Sequence, residues 1–518
     1  MDNIQILWVD DEIDMLKPHI LFLEGKGYAV DTINNGAEAL EMLEEKRYDL
    51  LFLDENMPGM DGLETLKRLK ESQSSVPVIM ITKSEEESIM EDAIGSQIAD
   101  YLIKPVNPKQ ILLSIKKNLD TRRLVSEKTT SNYQQEFRQI GMEMAMVNDF
   151  EGWEELYKKL IYWELELDKL EDEGLNDILL AQKKEANSQF FKFIQKNYED
   201  WLHDGDEAPV MSHTLFKKWV LPEVKAPDNL LLLVIDNLRY DQWKIIKPII
   251  EQYYNTERED SFYSILPTAT QYARNAIFSG MMPSEIQKRF KDKWISDTDE
   301  DGKNNFEKDF LADQMQRLGQ GSTKFSYHKI TNHNAGKKLV DNLPNILGNP
   351  FNVIVYNFVD MLSHAKTDMK VIKELADNDK AYRSLTLSWF KNSPLLEMIK
   401  ILSAKGVKLI ITTDHGTINV GSPTKLVGDR NVNTNLRYKT GRNMSYQKKD
   451  VYEVAKPEDI YLPKENINSV FLFAKEDLFF AYPNNFNHYV KYYVNTYQHG
   501  GISLEEVIIP FAVLSPKS

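Results

Sequence analysis

The apolar positions of this chain change rhythm twice, and each rhythm predicts a different architecture. Over the first 120 residues or so, the segments IQILWVDDE, YAVDTI, YDLLFLDENMPGMDG, VPVIMITK and ADYLIKP are strand candidates separated by amphipathic helical stretches. That alternation predicts a parallel sheet with helices on both faces. From Lys109 to Ala208 there is no proline and only four glycines, and charged residues mix with leucine, which favours helix throughout. Trp153, Leu156, Leu160, Trp163, Leu167 and Leu170 recur at spacings of three and four, and Phe190, Phe191, Phe193, Ile194, Tyr198 and Trp201 form a second apolar cluster. A bundle of about three helices is expected, with the first stripe also available to a second copy of the chain. After Pro209, Pro222 and Pro227 the chain restarts with NLLLLVIDNLRYD, and strands alternate with helices to Ser518. The predicted domains are residues 1–120, 121–215 and 216–518.

Composition narrows the partners. With 63 Lys plus Arg against 79 Asp plus Glu the net charge is −16, which argues against affinity for duplex DNA. No compact basic helix pair succeeds the first segment, so a DNA-reading helix-turn-helix is not expected. Cysteine is absent, so any metal must take oxygen and imidazole ligands. The N-terminal MDNIQILWVDDE lacks the basic and apolar regions of a secretion signal, and no apolar run approaches a membrane span. A cytoplasmic protein without membrane association is expected.

In the first segment Asp10 and Asp11 end the first strand, Asp54 the third, Thr82 the fourth and Lys104-Pro105 the fifth, so all converge on one sheet edge. Clustered carboxylates hold Mg²⁺ through hard oxygens, and a lysine balances the charge of a phosphoryl group passing to a carboxylate. This set resembles the receiver domain of two-component response regulators. The resemblance implies a flavodoxin-like (βα)5 fold with strand order 2-1-3-4-5. It further implies Asp54 as phosphoacceptor, Mg²⁺ held by Asp11, Asp54 and the carbonyl of Asn56 with Asp10 in support, and Lys104 and Thr82 on the phosphoryl oxygens. Tyr101 matches the family's switch aromatic.

In the last segment the apolar strand Lys408–Thr413 stops at Asp414-His415-Gly416, and other polar groups stand where strands should end. They are Asp236 in VIDNLR, Thr270 in LPTATQYARNAIFSG, Asp360 and His364 in VIVYNFVDMLSHAK, and His499 in QHGGISLEEVIIP. In this order they resemble the metal signature of the alkaline phosphatase superfamily, in particular its PglZ-type members. The resemblance implies one metal on Asp236, Thr270, Asp414 and His415 and another on Asp360, His364 and His499, suited to two Zn²⁺ ions, although Mn²⁺ tolerates similar ligands. It implies Thr270 as a metal-activated nucleophile, with Arg274 and Asn275 just beyond it as contacts for a non-bridging phosphoryl oxygen.

Receiver, helical middle and PglZ-type end together resemble PorX-type response regulators. That implies a sensor histidine kinase as phosphodonor, a link to the type 9 secretion system, and a sigma factor as a further partner. Gly421 to Asp450 carries seven basic residues against two acidic ones, with Tyr438 and Tyr446 interleaved. Such a segment is either a solvated loop or a surface for a short single strand, with Arg437, Lys439 and Arg442 as contacts. The expected activity is therefore a phosphodiesterase acting on small oligonucleotides, linear or cyclic, under phosphorylation-dependent control that includes a homodimer. The competing expectation is a metal-stabilised platform that captures a sigma factor or other signalling protein with little catalysis.

Overall fold

A computed structural model describes residues 4–72, 76–83, 98–170, 173–203, 207–224, 229–295, 302–369, 372–373, 376, 378–428, 432–464, 466 and 468–517, without the side chains at 120–128, 173, 361, 364–365 and 368. The chain forms two compact units, Met1–Gln135 and Glu136–Ser518. In the first, β1 (Gln5–Val9), β2 (Ala29–Ile33), β3 (Leu50–Asp54), β4 (Val78–Thr82) and β5 (Asp100–Ile103) form a parallel sheet in the order β2-β1-β3-β4-β5. Strand side chains alternate between two covered faces. Leu7, Val9, Leu51 and Leu53 enter one core, whereas Ile6, Trp8, Leu50 and Phe52 enter the other. The order reverses between β1 and β3, which opens a crevice at their carboxyl ends.

The second unit begins within the long helix Pro108–Met146 and continues through helices Phe150–Leu167 and Glu173–His203. The Trp153 to Leu167 stripe is buried inside the chain. Trp153 packs edge-on to Phe190 at 5.3 Å, and Phe190 and Trp201 lie against Tyr263 of the adjoining sheet. The stripe is therefore occupied by the chain's own residues and is not open to a second copy, which corrects that expectation. Buried ion pairs lock these helices to the α/β part of the same unit, Arg383 to Glu164 at 2.7 Å and Lys183 to Glu164 at 2.7 Å and Glu505 at 3.4 Å.

The main sheet of this unit uses β6 (Leu230–Ile235), β7 (Tyr254–Tyr263), β8 (Phe325–Ile330), β9 (Phe351–Tyr356) and β10 (Lys408–Thr412). Seven short strands come next in the chain: β11 (Ile418–Val420), β12 (Ser422–Lys425), β13 (Tyr438–Gly441), β14 (Val451–Val454), β15 (Val470–Ala474), β16 (Leu478–Ala481) and β17 (Thr496–Gln498). The last strand, β18 (Ile508–Pro516), returns to the main sheet, whose order is β7-β18-β10-β6-β9-β8. β6 and β10 sit side by side and parallel, apolar because helices cover both faces. Their register pairs Val234 with Thr412. Two residues further along each strand are Asp236 and Asp414, so the pairing alone brings these carboxylates together.

Candidate functional sites

At the carboxyl edge of the first sheet, Asp10, Asp11 and Asp54 each offer an oxygen within 4.8 Å of the others. Lys104 Nζ lies 2.9 Å from both Asp10 Oδ2 and Asp54 Oδ1. Burial pushes Asp54 up to about 6, with the Asp10 and Asp11 charges adding to the rise and Lys104 opposing it. Burial works against the Lys104 charge, yet its bonds to Asp10 and Asp54 leave its pKa raised. Thr82 donates to the Glu55 carboxylate, a pairing not anticipated from sequence. Asn56 is exposed, and Tyr101 is 40% exposed.

The second centre lies where β6 and β10 end. Asp236, Asp414 and His415 are fully buried and present ligand atoms within 4.8 Å of one another. His415 Nδ1 is 3.1 Å from the Gly416 carbonyl, an acceptor, so Nδ1 carries the proton and Nε2 presents its lone pair. Thr270, the first residue of helix Thr270–Ser279, places its Oγ1 3.0 Å from that nitrogen. His499 stacks on His415 with ring centres 4.3 Å apart, and its Nδ1 lies 3.2 Å from the Thr268 carbonyl, which gives it the same tautomer. Asp360 sits half-buried on helix Phe358–Asp368, and the His364 side chain lies outside the described residues.

Two carboxylate oxygens of this centre lack a hydrogen bond. Asp236 Oδ1 and Asp414 Oδ2 are buried and accept no hydrogen bond. Leaving buried carboxylate oxygens so costs several kcal/mol or, for one of a close pair, neutralises it, roughly speaking. Burial and the neighbouring Asp236 charge push Asp414 up to about 7, while Arg274 pulls it down. Burial acts to raise Asp236, yet the Arg274 charge and its hydrogen bond hold it below the usual range. Burial depresses His415 and keeps it neutral. Two oxygens that accept no hydrogen bond, one of them 3.6 Å from Arg274 Nη1, beside the imidazoles of His415 and His499 form a donor set that fits divalent metal.

The structure corrects the expected substrate contacts. Arg274 is 1% exposed and donates to Asp236 Oδ2 at 2.7 Å and Glu307 Oε1 at 2.5 Å, so it is a buried counter-ion with its fork already engaged. Asn275 is equally buried and binds the Lys303 carbonyl and the Asn304 amide. Arg437 pairs with Glu506 at 2.7 Å and also donates to the Lys475 and Leu478 carbonyls, wholly out of solvent. Lys439 is buried on the Asn433 carbonyl. Of these expected contacts only Arg442 is exposed, along with Lys425, Lys448 and Lys449 from the same segment; Asp429 and Arg430 lie outside the described residues.

Sequence reasoning missed three neighbours of the centre. Glu307 opens a helix after a polar loop and carries no pattern that marks it as the partner of Arg274. Asn304 donates to the Thr270 carbonyl at 3.1 Å. Asn237 does have a signal, its place directly after Asp236.

Three family models match the chain. They are the response regulator receiver domain over residues 6–116, the PorX response regulator linker domain over 123–202, and the BREX system PglZ alkaline phosphatase-like domain over 215–514. Among curated proteins, the transcriptional regulatory protein ZraR of Klebsiella oxytoca is 36% identical over 145 residues, 28% of this chain and 33% of that protein. The transcriptional regulatory protein ResD of Bacillus subtilis (strain 168) is 37% identical over 112 residues, 22% of this chain and 46% of that one. The chain thus spans a third to a half of the length of these relatives. Among solved structures, the chemotaxis protein CheY4 of Vibrio cholerae is 29% identical, with 23% of this chain and 100% of that chain covered at a TM-score of 0.22. The CheY-like receiver domain protein of Methanospirillum hungatei JF-1 is also 29% identical, over 24% of this chain and 98% of that one, at a TM-score of 0.23. Among the described residues no helix is long and apolar enough to cross a membrane. With its PglZ match covering more than half its length, the chain belongs to the PglZ alkaline phosphatase-like family and combines that domain with a receiver and linker as a PorX-type response regulator.

Proposed function

We propose that this regulator's effector is a zinc-dependent phosphodiesterase that hydrolyses small linear or cyclic oligonucleotides through Thr270, under control of phosphorylation at Asp54. The observation that carries the reading is Thr270 Oγ1 at 3.0 Å from His415 Nε2, beside buried oxygens of Asp236 and Asp414 that accept no hydrogen bond. Asp236, Thr270, Asp414 and His415 would hold one ion and Asp360, His364 and His499 the other. Bound Zn²⁺ supplies Lewis acidity that lowers the pKa of a hydroxyl or water and neutralises charge at the reacting phosphoryl group.

Thr270 Oγ would attack phosphorus in line, its proton passing to solvent, as the bond from phosphorus to the leaving oxygen breaks and the departing alkoxide takes a proton from solvent. The amino end of helix Thr270–Ser279 favours the anionic phosphoryl group at that spot. Water displaces Thr270 from phosphorus in a second step, so configuration is retained overall. Arg274 holds Asp236 ionised and oriented, as a counter-ion rather than a substrate contact. Among the described residues of this segment, the exposed Lys425, Arg442, Lys448 and Lys449 are the cations that would contact an oligonucleotide backbone.

In the receiver, a sensor kinase would phosphorylate Asp54, with Mg²⁺ on Asp11, Asp54 and the Asn56 carbonyl and Lys104 balancing the charge. Phosphorylation would favour a homodimer, and the output would feed sigma-factor control of the type 9 secretion system. Residues 1–120, 121–215 and 216–518 are the working division into receiver, linker and effector. The test is hydrolysis of bis-p-nitrophenyl phosphate by Zn²⁺-loaded protein, wild type beside Thr270→Val. Turnover that vanishes in the variant supports the mechanism, whereas no turnover by wild type with two metals bound replaces the enzyme with a binding platform.

A further inference from the structure

We infer that Asn237 is an additional oxygen ligand of the effector's metal pair and ties its two ligand sets together; the inference rests on the metal-dependent reading above. Asn237 comes directly after Asp236 at the end of β6 and is fully buried. Its backbone N–H donates to Asp414 Oδ1 at 3.3 Å. Its side-chain Nδ2 donates to Ser363 Oγ at 3.2 Å, and Ser363 stands between Asp360 and His364 on helix Phe358–Asp368. One residue thus touches both expected sets, Asp236 and Asp414 through its backbone and the Asp360–His364 helix through its amide.

The other end of that amide has no partner. Asn237 Oδ1 is buried and accepts no hydrogen bond, and the same is true of Oδ1 of the preceding Asp236 and Oδ2 of Asp414, whose other oxygen takes the Asn237 N–H. A buried amide oxygen without a donor is disfavoured, and Arg274 Nη1, 3.6 Å from Asp414 Oδ2, is too far to donate to it, so a metal cation is the remedy that serves all three oxygens. Amide oxygens are hard neutral donors that join carboxylates around divalent ions. They add a ligand without adding to the repulsion already expressed between Asp236 and Asp414. The anchored Nδ2 fixes the amide plane, so the oxygen cannot rotate away to find another partner.

The backbone supplies a clean probe. Asn237 has φ 68°, in the left-handed region that glycine takes without strain. Asn237→Gly therefore removes the amide while leaving the turn intact. Asn237→Asp keeps the oxygen and loses the donor to Ser363. Zinc content after dialysis and zinc affinity by chelator competition at pH 8 would be measured for wild type and both variants, with melting of the metal-free proteins as a check on folding. The expected result is two zinc ions in wild type, about 10- to 100-fold weaker binding at one of them in Asn237→Gly, the range seen when a group supporting a metal is removed, and binding at or above wild-type strength in Asn237→Asp. Wild-type affinity in Asn237→Gly would overturn the inference. So would equal weakening in both variants, since that pattern belongs to the donor end. Failure of wild type to hold zinc would instead remove the metal-dependent reading on which the inference stands.

Discussion

Replacing Arg437 by methionine separates a buried ion pair from a substrate contact. The guanidinium donates to both oxygens of Glu506, Nη2 to Oε2 at 2.7 Å and Nε to Oε1 at 3.2 Å, with both side chains wholly buried. It also binds the carbonyls of Lys475 and Leu478, which joins the connection between β15 and β16 to the segment before β18. Methionine fills much of the volume but leaves Glu506 charged and buried with only the Gly501 N–H and Ser503 hydroxyl as donors. Removing one partner of such a pair costs about 3–5 kcal/mol. Unfolding entropy of ~2.1 cal/mol/K per residue over the roughly 380 residues of the second unit gives ~0.8 kcal/mol/K, so the melting temperature should fall by about 4–6 °C. A second substitution, Glu506→Gln, removes the stranded charge and should recover part of that loss. Differential scanning fluorimetry reads the melting shift, and oligonucleotide KM is measured at a temperature where every variant is folded. Melting within ~1 °C of wild type together with a several-fold rise in KM would refute the assignment, since stability shifts of that size are inseparable from breaking a buried pair.

Three other perturbations test separate parts of the fold. Burial pushes Glu154 up to about 7 against the bond from Ser261 and the Lys158 charge, so its proton favours the folded state, fully below pH 4.5 and progressively less as pH rises through about 7. Glu154→Gln should therefore melt higher than wild type above pH 7, by on the order of 2 kcal/mol, and the difference should close toward pH 4.5; equal pH profiles would refute this. Lys104→Met removes the charge that holds Asp54 down, so Asp54 should rise further above about 6 and Mg²⁺ binding, measured by calorimetry, should reach half-saturation at a higher pH than in wild type. A Cβ at Gly416 would lie 1.9 Å from the Glu505 carbonyl oxygen, so Gly416→Ala must displace the backbone beside His415 and should lose zinc-dependent turnover; normal turnover would count against His415 as a ligand.

What could be read in the sequence depended on where each residue's partner lies. Asp10, Asp54, Asp236 and Asp414 were legible because a buried strand is recognisable from its own residues, and the position after it is then an address on the sheet edge. The pairing of Val234 with Thr412 converts two such addresses into one site without further information. The charged residues failed for the opposite reason. Arg437 in a polar, basic segment looks the same whether solvated or buried, and its fate is set by Glu506, 69 residues away. Arg274 is likewise decided by Glu307, 33 residues on, and not by its neighbour Thr270. Periodicity in the Trp153 stripe revealed an apolar face but not its occupant, since a bundle neighbour and a second chain demand the same pattern. Among the described residues the basic segment therefore keeps Lys425, Arg442, Lys448 and Lys449 as exposed candidates, and the proposed substrate is to be tested on these rather than on the segment's total charge. Charge counted along a chain measures what a surface could present, whereas burial and pairing decide what it does present.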